Sequence, residues 1–361
     1  MIQKEEIYAG QFYQELKNEF WGKQNPISKF LGLRENEQKS DIAITLKEAG
    51  TQSECTITKE ARQCSIHCFA NEWNDLKYKG LEFYTTYIEN GKSIASGRTF
   101  DKLRTLDAIE NWMQNKTLNE LYSKFDFIDE KKRQLEKIRA GINKLSPQLA
   151  TISQNSVVEE SFSFYSLWFG NDNRNCRIYY YGYEPNPRYI FKWDDCVIFE
   201  TSSSDIKRIS TLITKWVFDK AMPSTLKVEF PEIDFGKLAE YYEKGNGIEG
   251  EFILSWDEIE KFYCEMNIGK KNEILQLIKK MRGKGFDRTL RAGQSLYTFI
   301  LSRSRRQGLR ANQDSVSFSF EFIESVMEVQ TQKGQKITFD KIEYNDTIEN
   351  ILKTIELESI D

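Results

Sequence analysis

TFDKLRTLDAIENWM (residues 99–113) and TFDKIEYNDTIENIL (residues 338–352) are identical at eight of fifteen aligned positions, without a gap. Each copy follows segments in which apolar and polar residues alternate, as in strands. The first copy then places Leu103, Leu106 and Ile109 at helical spacing. Similarity between two places in one chain indicates an internal duplication. The duplicated unit is therefore predicted to consist of several strands followed by one helix.

A third copy lies between these two and matches them less closely. Its predicted strands are the aromatic and β-branched segments SFSFYSLWFG, CRIYYYGYE and RYIFKWDDCVIFE, which precede a helical pattern over residues 204–220. In this alignment Trp216 falls at the position of Trp112 in the first copy and Ile351 in the last. We therefore expect these three residues at equivalent buried positions on three helices.

Short polar side chains mark the starts of the predicted helices. Asp101 and Asp340 occupy the same place in the TFDK segments, and Asp205 aligns with them in the middle copy. A carboxylate at a helix start accepts hydrogen bonds from amides that have no partner within the helix. We therefore expect all three aspartates near helix N-termini, with Asn345 as a second candidate cap for the last helix.

These patterns predict an α+β protein of tandem units, each with antiparallel strands followed by a helix, and with a helical insertion before the last unit. The stretch AGQSLYTFILSRSRRQG (residues 292–308) fits a strand or a helix, and we favour a helix that ends at Gly308. The predicted divisions are an N-terminal helical segment (1–40), a first strand-and-helix unit (41–150), a second unit (151–235), a helical basic segment (236–310) and a short third unit (311–361).

The charge of the chain is unevenly distributed. The 361 residues have a formal net charge of −4. Twelve lysines and arginines between Met266 and Arg310 face only Glu273 and Asp287, which gives this segment +10 and leaves −14 for the rest. Such a segment is typical of a surface that binds phosphates.

The sequence therefore favours a non-enzymatic protein that binds nucleic acid or another polyanion through residues 270–310. The candidate contacts are the basic side chains Lys279, Lys280, Arg282, Lys284, Arg288, Arg291, Arg303, Arg305, Arg306 and Arg310. On the favoured helix, Arg303, Arg306 and Arg310 would point to one side. Two alternatives stay open for this segment. Its arginines can pair with acidic residues elsewhere in the chain, or the protein can be an adaptor that binds an acidic partner.

Evidence for enzymatic chemistry is sparse. The chain has no phosphate-binding loop, no dinucleotide fingerprint and no HExxH zinc motif, and His67 is its single histidine. A metal-dependent nuclease using Asp194, Asp195 or Glu200 is a further alternative, but the lysine expected shortly after the last acid is absent. No catalytic residue and no cofactor are predicted.

Two other clusters allow a structural and a functional interpretation. Cys55, Cys64 and Cys68 lie near His67, but Cys64 and Cys68 alternate with the histidine along a strand, so they are predicted to be structural and not to bind metal. The run CRIYYYGYEPNPRYIF (residues 176–191) could stack nucleic-acid bases beside Arg177 and Arg188, or supply core and cross-strand packing.

The chain shows no secretory pattern at its start and no apolar run long enough to span a membrane. Its six cysteines are scattered, as reduced thiols would be. These features predict a cytoplasmic protein.

Overall fold

The computed structural model describes residues 42–49, 52–70, 81–151, 156–161, 164–181, 185–305, 313–321 and 325–360. Within these residues the protein has three five-stranded antiparallel sheets and ten α-helices, which confirms the predicted α+β class with strands preceding helices. In each sheet, strands that are neighbours in the sequence are also neighbours in space.

The first sheet is built from β1 to β5, and four helices follow it. At the turn between β4 and β5, Asn90 and Gly91 both have positive φ values of 51° and 75°, as a two-residue hairpin turn with these residues requires. The elements are β1 (Ile42–Ala49), β2 (Gln52–Lys59), β3 (Arg62–Ala70), β4 (Leu81–Glu89), β5 (Lys92–Thr99), α1 (Lys102–Met113), α2 (Leu118–Lys124), α3 (Glu130–Leu145) and α4 (Pro147–Ala150).

The second sheet repeats this arrangement and is followed by five helices. Its elements are β6 (Val158–Ser161), β7 (Phe164–Asn171), β8 (Arg174–Tyr180), β9 (Arg188–Trp193), β10 (Cys196–Ser202), α5 (Ile206–Val217), α6 (Pro223–Glu229), α7 (Gly236–Glu243), α8 (Gly247–Glu265) and α9 (Lys271–Gly283).

The third sheet precedes the last helix of the chain. Its elements are β11 (Arg291–Ser295), β12 (Thr298–Ser302), β13 (Ser315–Phe320), β14 (Met327–Thr331), β15 (Lys336–Phe339) and α10 (Asp346–Glu356).

The helix predicted over residues 292–308 is wrong. The described part of this stretch contains the hairpin of β11 and β12, so the third sheet takes its first two strands from the segment predicted as helical. Phe299 and Leu301 alternate along β12 and are fully buried, whereas Leu296, needed for the apolar face of a helix, is 84% exposed at the turn. The buried residues are two positions apart, which is the spacing of a strand and not of a helix.

The helix caps are confirmed in part. Asp101 accepts a hydrogen bond from the amide of Arg104 (3.1 Å), and Asp205 likewise caps α5. The cap of α10 is Asn345, whose side chain accepts from the Ile348 amide (3.1 Å). Asp340 is not at a helix start, because α10 begins at Asp346. The prediction for Asp340 is therefore wrong.

The first two units share a buried tryptophan in the same setting. Trp112 Nε1 donates to the main-chain oxygen of Gln63 in β3, and Trp216 Nε1 donates to that of Asn175 in β8, each at 3.1 Å. Both acceptors are the second residue of the third strand in their sheets. Ile351 is only partly buried, so the predicted equivalence holds for the tryptophans and not for the third helix.

An arginine completes this setting in both units. The guanidinium carbon of Arg62 lies 3.8 Å from the centre of the Trp112 ring, and that of Arg174 lies 3.9 Å from the centre of the Trp216 ring. The first two units are thus closer in structural detail, although the first and third copies are closer in sequence.

The chain divides into two compact units: the described residues up to Ile190 with Thr201–Asp219, and Phe191–Glu200 with the described residues from Lys220 onward. Among the described residues, no helix combines the length and apolar character needed to cross a membrane.

Candidate nucleic-acid interface

Arg282, near the end of α9, is surrounded by acidic side chains. Its Nη1 lies 2.8 Å from Asp257 Oδ1 and 2.8 Å from Glu260 Oε2, both on α8, and its Nε lies 3.2 Å from Asp287 Oδ2. Three carboxylates therefore surround the positive charge of Arg282, which was predicted to contact phosphate.

Arg305 has a similar environment. Its Nη2 lies 2.7 Å from Glu251 Oε1 and 3.1 Å from the hydroxyl of Tyr242. That hydroxyl in turn donates to Glu251, and burial together with this hydrogen bond raises the pKa of Tyr242. Arg291 donates to the main-chain oxygen of Arg305, and Arg288 lies 3.4 Å from Glu249 Oε1.

Arg303 contacts main-chain oxygens. It follows β12, and its Nε donates to Glu358 O (2.9 Å) while its Nη1 donates to Thr289 O (3.0 Å). Glu358 lies just beyond the end of α10, where carbonyl oxygens lack partners within the helix. Arg62 makes comparable bonds to Trp112 O in the last turn of α1 and to Lys116 O beyond that helix.

The remaining predicted contacts differ among themselves. Lys284 Nζ lies 2.9 Å from Glu349 Oε2. Lys279 and Lys280 are exposed on α9, and within the described part of the chain neither makes an ion pair. Arg306 and Arg310 lie outside the described residues. Because Arg303 follows a strand, it is not on the helix that was predicted to carry it together with these two residues. The polyanion site itself stays a prediction.

A second candidate surface lies on one side of the second sheet. Tyr165, Leu167 and Phe169 of β7 are buried and pair across the strands with Tyr180, Ile178 and Cys176 of β8, which are also buried. This is the core side of the sheet. The residues between them point to the opposite side, and among these Trp168 pairs with Arg177 and Ser166 with Tyr179.

Aromatic rings and guanidinium groups lie next to each other on this opposite side. The rings of Tyr179 and Tyr181 are stacked, with centres 6.1 Å apart and an angle of 26° between planes. Arg177 Cζ lies 5.0 Å from the centre of the Tyr179 ring, and Arg188 Cζ lies 5.6 Å from that of Tyr181. The tyrosines and Arg177 are partly exposed, and Arg188 is exposed.

Trp168 lies over Gly170 on the same strand. A Cβ atom added at Gly170 would stand 2.3 Å from Trp168 Cζ2, so only glycine leaves room for the indole in this position. The side chains of Trp168, Arg177, Tyr179, Tyr181 and Arg188 are together called the aromatic face.

Core packing, the structural interpretation of the aromatic run, applies to some of its residues, and base stacking by the others stays a prediction. Tyr180 and Tyr189 are buried in the core, while Tyr179 and Tyr181 lie on the aromatic face. Sequence reasoning did not assign Trp168 to this surface. The sequence feature that could have identified Trp168 is its position two residues before Gly170, on the same side of a strand.

The other sequence candidates lie in strands and in a turn, and Glu200 is in β10. Asp194 and Asp195 form the turn between β9 and β10 with positive φ values of 48° and 62°. Cys64 is fully buried, as predicted for an apolar role, and the ring of His67 lies beside that of Tyr84. The part of the chain that the structure describes contains no group of three metal-binding side chains. The side chains of Cys55 and Cys68 are outside that part.

Comparison with known proteins finds no matching protein-family model, no matching curated protein and no matching solved structure.

Proposed function

We propose that the protein is a non-enzymatic nucleic-acid-binding protein and that its aromatic face binds single strands. The observation that supports this most directly is the stacked pair Tyr179 and Tyr181 with an arginine beside each ring. Partly exposed aromatic rings on a sheet offer flat surfaces on which unpaired bases stack, and each stacked base contributes about 1–3 kcal/mol.

The arginines supply the second component of such binding. Arg177 is placed by the neighbouring strand, where its Nη2 lies 3.5 Å from Ser166 Oγ, and Arg188 is exposed. Guanidinium groups beside the rings can meet the phosphates that flank a stacked base. Duplex bases have their faces covered by neighbouring bases, so this arrangement favours single strands.

The basic segment makes at most a smaller contribution in this proposal. Arg282, Arg303 and Arg305 are engaged by acidic groups or carbonyl oxygens of the chain. Lys279 and Lys280 are the exposed cations of the segment among the described residues that make no ion pair, and they are candidates for non-specific phosphate contacts.

The test is fluorescence anisotropy with labelled oligo(dT), labelled oligo(U) and a duplex of matched length. Single strands should bind more tightly than the duplex. Two phosphate contacts on a single strand give a log–log salt slope of about −1.4. Replacing both Tyr179 and Tyr181 by alanine removes stacking for at least one base and should weaken binding about tenfold or more.

Tyr297→Ala is the matched control, because this tyrosine is exposed on the β11–β12 turn and its side chain is not in the aromatic face. A second comparison is the double variant Lys279→Gln and Lys280→Gln. If this variant loses affinity while the double tyrosine variant keeps it, binding is through α9 and the aromatic face is not the site. If the unmodified protein binds no oligonucleotide even at low salt, the proposed function is wrong.

A further inference from the structure

The turn between β11 and β12 exposes a leucine in an unfavourable main-chain conformation. Leu296 is 84% exposed and has a φ of 53°, in the left-handed region that glycine and asparagine adopt far more easily. A leucine at this place weakens the turn and adds nothing to the core of its own chain. Strained residues that the fold does not need are frequent at binding sites. Leu296 is therefore a candidate contact for a second molecule.

The same turn is held firmly by the rest of the unit. The two strands stay paired up to Ser295 and Thr298, on either side of the turn. The hydroxyl of Tyr263, a fully buried residue of α8, donates to the main-chain oxygen of Tyr297 (2.8 Å). A turn that is already fixed loses little conformational freedom when it binds. Leu296 is thus displayed on a rigid support.

An open groove lies on the same hairpin. Gly293 pairs with Ile300 across the strands, and both alternate with the buried Ala292 and Leu301, so they lie on the side of the sheet that faces away from the core. A Cβ atom built on Gly293 would meet no atom within 4 Å, and Ile300 is partly exposed. Both residues line a groove of about 970 Å³ that is bounded by α8. The hairpin therefore has an apolar residue on each side: one that projects and one in a groove.

Neither the turn nor the groove has a net charge. The charged residues that line the groove are two acids and two bases, Glu258, Glu265, Lys261 and Arg291. The neighbours of Leu296 along the hairpin are uncharged: Gln294, Ser295, Tyr297 and Thr298. This distribution does not favour a charged partner or an anionic lipid surface, which polybasic segments bind. It does suit an uncharged turn placed in a groove of zero net charge.

We propose that two copies of this chain associate through their β11–β12 hairpins, with Leu296 of each copy in the groove of the other, over Gly293 and Ile300. Leu296 follows Gly293 by three residues, about 10 Å along a strand. Two hairpins that run in opposite directions about a two-fold axis between these positions make the same contact twice, as in an isologous dimer. The surface belongs to the third sheet and α8 and does not depend on nucleic-acid binding.

The test is sedimentation velocity of the full chain over a range of about 5–500 µM. A hairpin and one side of a helix form a smaller surface than a standard interface, so we expect a reversible dimer with a Kd of about 10–100 µM. Leu296→Asn should weaken the association about a hundredfold or more, because each of the two copies loses a buried leucine. Its urea midpoint at low concentration should be unchanged or higher, since asparagine adopts the left-handed conformation more easily.

Val228→Asn is the matched control, because Val228 on α6 is an apolar residue of equal exposure (85%) outside the hairpin. It should leave the association unchanged. Gly293→Leu tests the groove separately: its Cβ has room in the fold, and its side chain fills the space beside Ile300. This variant should weaken the association about tenfold or more, because shape complementarity is lost.

Three results would overturn the proposal. The first is an unmodified chain that stays monomeric over the whole concentration range. The second is an association that Leu296→Asn or Gly293→Leu leaves unchanged, because the dimer would then use another surface. The third is a monomer that sediments with phosphatidylcholine vesicles only when Leu296 is present, which would make the turn a lipid contact.

Discussion

Replacing Arg303 by glutamine should destabilise the protein, because this arginine bridges two parts of the chain that are far apart in sequence. Its bonds to Glu358 O and Thr289 O are 2.9 and 3.0 Å long. A hydrogen bond from a charged group contributes about 1.5–3 kcal/mol, and glutamine is too short to make both. Arg303 is only partly buried, so water replaces part of this interaction. We expect a loss of about 2–3 kcal/mol in the free energy of unfolding.

Urea unfolding followed by tryptophan fluorescence measures this loss. Trp256 reports on the same core, because it is fully buried and its Nε1 donates to Leu290 O (2.7 Å). With a denaturant slope of about 2 kcal/mol per molar, the midpoint should fall by about 1 M. Arg303→Lys keeps the charge and can reach one carbonyl oxygen, so its midpoint should lie between those of the glutamine variant and the unmodified protein.

The double variant Lys279→Gln and Lys280→Gln is the control for the loss of charge alone. Both lysines are exposed, and exposed substitutions of this kind change stability by at most about 0.5 kcal/mol. If Arg303→Gln unfolds at the same urea concentration as this control, its carbonyl contacts do not stabilise the fold. The argument that the chain itself uses the charge of Arg303 would then be wrong.

Three further predictions concern other parts of the chain. Hydrogen bonds from Lys353, Lys284 and Tyr344 lower the pKa of Glu349 from 4.5 to about 2. The stability that these bonds contribute is present above pH 4.5 and is lost as the pH falls toward 2. In urea unfolding, the difference in unfolding free energy between Glu349→Gln and the unmodified protein should therefore shrink over that range, and a constant difference would contradict the prediction. Trp112→Phe and Trp216→Phe should each lower the free energy of unfolding, measured in urea, by about 1–3 kcal/mol and by similar amounts, since each loses one buried hydrogen bond and the contact with an arginine. Clearly unequal losses would show that the two settings differ in energy. Protein purified without added metal should contain no stoichiometric zinc by atomic emission, and one zinc per chain would refute the structural reading of the cysteines.

Local patterns in the sequence were sufficient for the fold class and for several element ends. The Asn90-Gly91 turn and the caps at Asp101, Asp205 and Asn345 follow from residues within a few positions of each other. Short-range steric effects and hydrogen bonds decide such features, so the sequence predicts them directly.

The tertiary structure alone decided that the described part of residues 292–308 forms strands, and it chose between the two caps that the sequence offered for the last helix. Both a helical and a strand spacing of apolar residues exist in that stretch, and the buried sites for Phe299 and Leu301 select the strand. Asp340 belongs to the best sequence match in the chain, yet α10 begins only at Asp346. Packing against the rest of the unit overrides a local pattern when two patterns compete.

The sequence also could not predict which groups the basic side chains of residues 270–310 contact. Arg282 meets Asp257 and Glu260 across two helices, and Arg303 meets Glu358 fifty-five positions later. Charge counts along the chain show an excess of +10 but not which acids and carbonyl oxygens approach it, because those contacts form only when distant segments pack together. The same holds for the aromatic face, where β7 brings Trp168 beside Arg177 of β8.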